Sequence, residues 1–312
     1  MKTPGGAARR RCVTATLALS GFAFFTIVAQ EEAPRTPTPA LLPYAPMSAQ
    51  RIAPIEEFKK KAPPLAAKFE AFTHTSSLGE VMPYRLFKPR ILEPGKKYPL
   101  IVFLHGAGAS GTDNQRQLEG ANMFGALVWA LPKNQERYPA FVVAPQSDVN
   151  WPCVILEEGK RPKLCPGLGS GARQAFEIVA KLVAELPIDR ARIYVTGHSM
   201  GGAGTWHMIA QQPSFFAAAV PVCGLPDFDT AAAVKDVPMW NFHGDADEVE
   251  PVATSRRMIN AILKAGGRPL NTEYPGVGHN VFMWAYTEPA LVNWVFAQRR
   301  TTASHPGASD HR

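Results

Sequence analysis

From residue 69 onward the chain alternates between two hydrophobic rhythms. Short runs at 100–104, 140–144, 192–196, 217–222, 239–242 and 270–274 read as apolar runs, with polar positions in the third and most of all in the last, where Asn271, Thr272 and Glu273 stand between Leu270 and Tyr274; the pattern is that of strands covered on both faces. Between several of them lie stretches of helical period, at 172–186, 202–211 and 251–265. Ahead of these, 69–75 and 82–88 flank Ser77-Leu78-Gly79 as an opening pair of strands. Strands alternating with helices predict an α/β domain over residues 68–299, with a mostly parallel sheet and helices on both faces. Ligands of such sheets bind beyond the carboxyl ends of the strands, so the loops after the apolar runs are where chemistry is expected.

The segments outside that domain read differently. Lys2 and Arg9-Arg10-Arg11 precede a mostly apolar stretch from 12 to 29, which predicts a secretory leader over 1–29. The product is then secreted or periplasmic, with no membrane contact after cleavage. An uncleaved membrane anchor is the alternative, because the stretch sits at the short end of the roughly 17–25 residues that span a bilayer. Residues 30–67 carry eight prolines and little periodicity and are expected to be an extended linker. Residues 300–312 are polar and expected to fray. At 312 residues and 46% hydrophobic content, the chain supports one large core.

Charge and cysteines narrow the function classes. The net charge is +7, but Lys2 and the three leading arginines go with the leader, leaving 29 basic against 26 acidic side chains, or +3. Lys59-Lys60-Lys61 and Arg256-Arg257 are short clusters without interleaved aromatics, a solvated surface rather than a phosphate track, and no nucleic-acid partner is expected. Cys153 and Cys165 bracket a largely charged segment. In an oxidising compartment they are expected to pair, worth up to about 3 kcal/mol by loop entropy. Cys223, after an apolar run, is then a buried thiol, and no spacing suggests a zinc site.

The chemistry centres on Ser199. It sits in Gly197-His198-Ser199-Met200-Gly201-Gly202, directly after the run ending at Thr196 and directly before a helical stretch. A serine at a sharp strand-to-helix bend is pushed toward positive φ, tolerable where the residues two before and two after lack side chains. Such a pattern alone can mark a glycine-rich turn; the context argues for a nucleophile. Met239-Trp240-Asn241-Phe242 runs into His243-Gly244-Asp245-Ala246-Asp247, which puts carboxylates past a strand end, and Gly276-Val277-Gly278-His279 puts a histidine in a glycine-flanked loop. The order Ser, Asp, His is that of the α/β-hydrolase fold. His279 is the expected base. Among the other seven histidines, His305 and His311 lie in the tail and His74 in an early strand, while His198 and His207 read as local structural residues and His105 and His243 each precede a glycine. Asp245, Asp247, Glu248 and Glu250 crowd one loop; Asp247 is preferred, because Asp245 follows the turn glycine and suits backbone-amide binding. The oxyanion donors are expected to be the backbone amides of Met200 and of Ala107, in His105-Gly106-Ala107-Gly108 after the first buried strand. Trp151, Phe282 and Trp284 are candidate walls of a substrate pocket, with ordinary packing the equal alternative, and Trp206 reads as core.

Phe103-Leu104-His105-Gly106-Ala107-Gly108 with Gly111-Thr112-Asp113-Asn114, the serine motif continued through Trp206, and His243-Gly244-Asp245-Ala246-Asp247 together resemble the secreted esterases related to polyhydroxybutyrate depolymerases and feruloyl esterases. The resemblance spans residues 80–298. It implies a catalytic Ser199, the second aspartate Asp247 and the late His279, acting on carboxylic esters through an acyl-enzyme without metal or organic cofactor. It leaves the ester open among feruloyl, short-acyl and hydroxyalkanoate types, as small molecules or oligomers, and leaves the oligomeric state open. Two other readings stand beside it. A prolyl-oligopeptidase-like peptidase shares the fold but usually carries a large gating domain, and a non-catalytic surface-binding module usually lacks a triad member. Dienelactone hydrolases use cysteine where Ser199 stands.

Overall fold

A computed structural model of the chain describes residues 49–300 apart from 153, 156–162 and 165–166. The expected leader, residues 30–48, the expected Cys153–Cys165 pairing and residues 301–312 lie outside the described residues. The strands are β1 (Glu70–Thr75), β2 (Val81–Phe87), β3 (Tyr98–Leu104), β4 (Phe141–Pro145), β5 (Val154–Ile155), β6 (Lys163–Leu164), β7 (Ile188–His198), β8 (Ala218–Val222), β9 (Trp240–Gly244) and β10 (Leu270–Tyr274). The helices are α1 (Ala49–Lys61), α2 (Asn122–Leu127), α3 (Pro132–Arg137), α4 (Ser170–Glu185), α5 (Met200–Gln211), α6 (Ala231–Val234), α7 (Val252–Lys264), α8 (Phe282–Tyr286) and α9 (Leu291–Ala297).

Eight strands form one sheet in the order β1-β2-β4-β3-β7-β8-β9-β10, and β5 pairs with β6 separately. All pairings from β4 across to β10 are parallel, while β2 joins antiparallel to both β1 and β4. Each of these runs of the sequence is a strand of this sheet, but β10 lies at its edge and is only partly buried up to Tyr274, so the expectation of cover on both faces fails there. Strand β3 shows why its run has no polar positions: Leu100, Val102 and Leu104 pack in one core with α4, α5, α6 and α7, whereas Ile101 and Phe103 pack in the other with α1, α2, α8 and α9. A sheet covered on both faces needs apolar side chains in both directions. The chain leaves β3 toward β4 on one side and comes back to β7 on the other, so the loops after β3 and β7 diverge above the sheet and leave a crevice there.

The expectation of an extended linker over 30–67 is overturned from residue 49. Residues 49–61 are helical, and Pro63–Lys68 follow as a 3-10 turn. Ile55, Phe58, Ala62 and Leu65 recur at spacings of three and four, and all are buried. The Phe58 ring stacks on Phe124 at 4.8 Å between centroids. Pro54 lies inside α1 at the cost of one intrahelical hydrogen bond. The proline count hid an amphipathic stripe that only a docking surface on the sheet domain rewards.

Candidate active site

Ser199 occupies the bend between β7 and α5 at φ 55° and ψ −122°, a conformation that costs a non-glycine residue about 1–3 kcal/mol. The surroundings hold it there. Its N–H donates to the Val222 carbonyl and its carbonyl accepts from Ala203 N–H, both at 2.9 Å. A Cβ on Gly201 would collide with the Leu104 carbonyl, and one on Gly197 would collide with the carbonyls of both Gly201 and Leu104. The glycines at these two positions are therefore what lets the elbow pack against the end of β3.

The side chains named from the sequence meet at this bend. His279 Nε2 lies 2.9 Å from Ser199 Oγ, and its Nδ1 lies 2.8 Å from Asp247 Oδ2 and 3.1 Å from Oδ1. A carboxylate only accepts, so Nδ1 carries the proton and Nε2 is left to accept from the serine hydroxyl. Asp247 is buried at 7% exposure. Its Oδ1 also accepts from Val249 N–H and Glu250 N–H at 2.9 Å each, which locks the carboxylate plane. Asp245 is exposed and accepts from Gly276 N–H at 2.6 Å, tying the loop after β9 to the turn that leads into His279. Glu250 nearby is half-buried, and burial raises its pKa, with His279 pulling the other way.

Sequence reasoning passed over His243, the last side chain before the turn glycine of β9. The ring is fully buried. Its Nε2 donates to the Glu250 carbonyl at 2.7 Å and lies 3.3 Å from Asp247 Oδ2, while Nδ1 accepts from Ser255 Oγ at 2.7 Å. Since a carbonyl only accepts, the Nε2–H tautomer is set, with its proton on the Glu250 carbonyl. Burial lowers the His243 pKa, so a neutral ring lies beside Asp247 and holds the Glu250 end of the loop that the aspartate's Oδ1 also binds. The visible signal was a histidine four residues before the acid.

The loop after β3 is anchored from several sides. Gly106 N–H donates to Asn122 Oδ1 at 2.9 Å, and Gln146 Nε2 donates to the Ala109 carbonyl at 3.0 Å. His105 donates from Nδ1 to the Gly106 carbonyl and accepts Ser147 N–H at Nε2, both at 2.9 Å. Burial pushes the His105 pKa down to about 4, keeping the ring neutral for that double role. Ala109 and Ser110 donate to Gly106 and Ala107 carbonyls. Ala107 N–H and Met200 N–H make no hydrogen bond among the described residues. Both open the first turn of a helix, where amides lack partners. Ala107 is exposed and Met200 half-buried.

For Trp151 the packing alternative holds, because the side chain is fully buried. Its indole N–H donates to the His105 carbonyl at 2.9 Å, and its ring meets His105 edge-on at 4.9 Å. With no surface left for a ligand, it braces the β3 loop instead of walling a pocket. Phe282 and Trp284 are half-buried and pack on the core, Phe282 against the His198 ring at 4.6 Å. His207, expected to be satisfied, is fully buried with neither ring nitrogen bonded among the described residues; burial lowers its pKa to about 4. Cys223 is buried and free, as expected. A cavity of about 650 Å³ lies elsewhere, lined by Phe58, Leu131, Arg137, Tyr286 and Val292 among others. None of Ser199, Asp247 or His279 borders it, so this cavity and the chemistry stand in different places, and the hydrogen-bonded side chains are the better guide to reactivity.

The comparisons with known proteins agree with this geometry. Residues 88–284 match the phospholipase/carboxylesterase family. The crystal structure of a thermostable esterase is 38% identical with a TM-score of 0.71, covering 76% of this chain and 64% of that one. A bifunctional acetylxylan esterase/xylanase of Neocallimastix patriciarum is 36% identical over 73 residues, 23% of this chain and 11% of that protein. An uncharacterized secreted protein of Arthroderma benhamiae is 25% identical over 74% of this chain and 27% of its own length. The chain thus spans a minor part of both curated relatives and just under two thirds of the esterase. The family match covers well over half of the chain and coincides with a parallel sheet whose strand-to-helix bend carries the serine. The protein belongs to the phospholipase/carboxylesterase family of α/β-hydrolases.

Proposed function

We propose that this protein is a serine carboxylic-ester hydrolase working through an acyl-enzyme, with Ser199 as nucleophile, His279 as base and then acid, and Asp247 as the orienting carboxylate. The observation that carries this reading is the chain of hydrogen bonds from Ser199 Oγ through His279 to Asp247, at 2.9 and 2.8 Å. Ser199 Oγ attacks the ester carbonyl as its proton passes to His279 Nε2. The negative oxygen is met by the amides of Met200 and Ala107. His279 returns the proton to the departing alcohol, leaving an acyl group on Ser199. Water, deprotonated by the same nitrogen, then releases the carboxylic acid and restores the serine.

The substrate class is a feruloyl, short-acyl or hydroxyalkanoate ester, following the sequence resemblance. Phe282 and Trp284, which keep part of their surface and follow His279 in the chain, are the candidates for an acyl wall. Export fits the leader-like residues 1–29 and the secreted Arthroderma relative; N-terminal sequencing of the protein from medium or periplasm that begins near Gln30 would support it. Among the described residues no helix is long and apolar enough to cross a membrane.

The test is hydrolysis of p-nitrophenyl acyl esters, methyl ferulate, 3-hydroxybutyrate oligomers and a peptide amide by the purified chain, with Ser199→Ala as control. Ester turnover abolished in the variant supports the proposal. Cleavage of the amide alone overturns it in favour of a peptidase. Folded protein that neither turns over any substrate nor takes up a fluorophosphonate probe overturns it in favour of a binding module.

A further inference from the structure

Cys223 is the side chain the proposed chemistry leaves unused. It follows β8 directly and has φ 39°, left-handed backbone that a non-glycine residue adopts only where its neighbours impose it. Its N–H donates to the Phe242 carbonyl at 2.9 Å, and the next residue, Gly224, packs so closely on Gly202 and Ala203 that no Cβ fits. The resulting turn leaves the thiol fully buried, with Sγ 3.7 Å from the His279 carbonyl. Sγ, a carboxylate oxygen of Asp247 and a ring nitrogen of His279 all lie within 4.8 Å of one another.

We propose that Cys223, Asp247 and His279 form an inhibitory site for a soft, thiophilic divalent ion, Zn2+ or Cd2+. One sulfur, one imidazole nitrogen and one carboxylate oxygen are donors that such ions take in tetrahedral sites. Metal–donor bonds of about 2.0–2.3 Å place tetrahedral donors roughly 3.4–3.6 Å apart, so a spread of up to 4.8 Å closes with movements on the order of 1 Å. Two donors stand on loops that leave adjacent strands, β8 and β9, which fixes their separation; His279, part-exposed on a loop, supplies the adjustment and the entry path. As the metal–sulfur bond forms, the thiol proton passes to solvent. The ion binds His279 at Nδ1, the nitrogen that faces Asp247, and the proton displaced there moves to Nε2, which then has no lone pair for the serine proton, so turnover stops.

This rests on the proposed ester hydrolysis for its consequence but not for binding. The test is Cd2+ titration of the tag-free full chain, following Cd–thiolate absorption and ester hydrolysis together, beside Cys223→Ala and the near-isosteric Cys223→Ser. The expected result is one equivalent of thiolate absorption present in the parent and missing from both variants. Hydrolysis should fall in step and return with EDTA. Affinity in the variants should drop about a hundredfold, since even outer partners of metal ligands are worth 10- to 100-fold. Mg2+, a hard ion, should not inhibit. The same difference reading cancels any absorption from Cys153 and Cys165. Equal absorption in parent and folded variants, or Cd2+ inhibition unchanged in Cys223→Ala, overturns the site. Binding that depends on Cys223 in a chain with no ester hydrolysis upholds the site and overturns the esterase reading instead.

Discussion

Asp247→Asn should abolish turnover by trapping the wrong tautomer of His279, and the structure dictates which way the new amide faces. Oδ1 of Asp247 accepts two backbone N–H groups, from Val249 and Glu250, at 2.9 Å each. An amide nitrogen there would meet two donors, so the asparagine keeps its carbonyl oxygen at that position. Its NH2 then takes the place of Oδ2, 2.8 Å from His279 Nδ1 and 3.3 Å from His243 Nε2. His279 can satisfy that donor only by accepting at Nδ1, which moves its proton to Nε2, facing Ser199 Oγ. Nε2 then has no lone pair for the serine proton. Loss of this tautomer in a Ser-His-Asp site costs on the order of 10⁴ in kcat, about 5 kcal/mol of barrier. Steady-state hydrolysis of a p-nitrophenyl ester should show kcat falling by that factor with KM little changed. A loss below about tenfold in folded Asp247→Asn refutes the argument. So does near-normal Asp247→Asn beside inactive Asp245→Asn, which would make Asp245 the acid.

Three further outcomes follow from the same geometry. Ala107→Pro deletes one proposed oxyanion donor at little structural cost, because Ala107 N–H has no partner among the described residues and Gly106 at φ −75°, ψ 166° already has the extended backbone a following proline requires; kcat should fall about 10²–10³ at unchanged Tm, and retained kcat removes Ala107 from the site. Truncation to residues 68–299 deletes buried Ile55, Phe58 and Leu65, each worth about 1.5–3 kcal/mol gross. Less the entropy of ordering the helix, a few kcal/mol should be lost, lowering Tm by roughly 2–4 °C per kcal/mol; an equal Tm by scanning calorimetry would show α1 to be idle. Finally, burial holds His105, His198 and His207 at about 4, 3 and 4 in the folded state against 6.5 unfolded. Their stabilisation is complete above pH 6.5 and is lost as pH falls through about 4, because only the unfolded chain takes up the protons. Each adds roughly 1.4 kcal/mol per pH unit in that window, so His207→Leu should flatten the pH dependence of urea unfolding between pH 6 and 4.5 by about one such increment, and an unchanged slope means His207 is already protonated in the folded protein.

What was legible from sequence followed from local constraints. A strand covered on both faces must be apolar at every position, so β3, β4, β7 and β8 announced themselves, and the order of strands and helices announced an α/β sheet. Gly197 and Gly201 revealed the elbow because steric exclusion there acts between residues two apart. The same locality explains the failures. The stripe of α1 was hidden because proline content describes the free chain, whereas Phe58 is rewarded by partners far along the sequence such as Phe124. Trp151 stayed open between pocket wall and packing because its position after a strand end is a sequence fact, while its burial beside His105 depends on how α4 and the β3 loop close over it. The holding of His243 beside Asp247 by Ser255 and the Glu250 carbonyl, the anchoring of Gly106 by Asn122, and the approach of Cys223 to His279 all join separate segments through side chains. By itself, then, the sequence determined the fold class, the element order and the residues able to do the chemistry, since these depend on periodicity and short-range sterics. Only the tertiary structure decided which acid meets His279, which amides stay unpaired and what surrounds the thiol, because hydrogen-bond direction and burial are properties of groups brought together across the sheet.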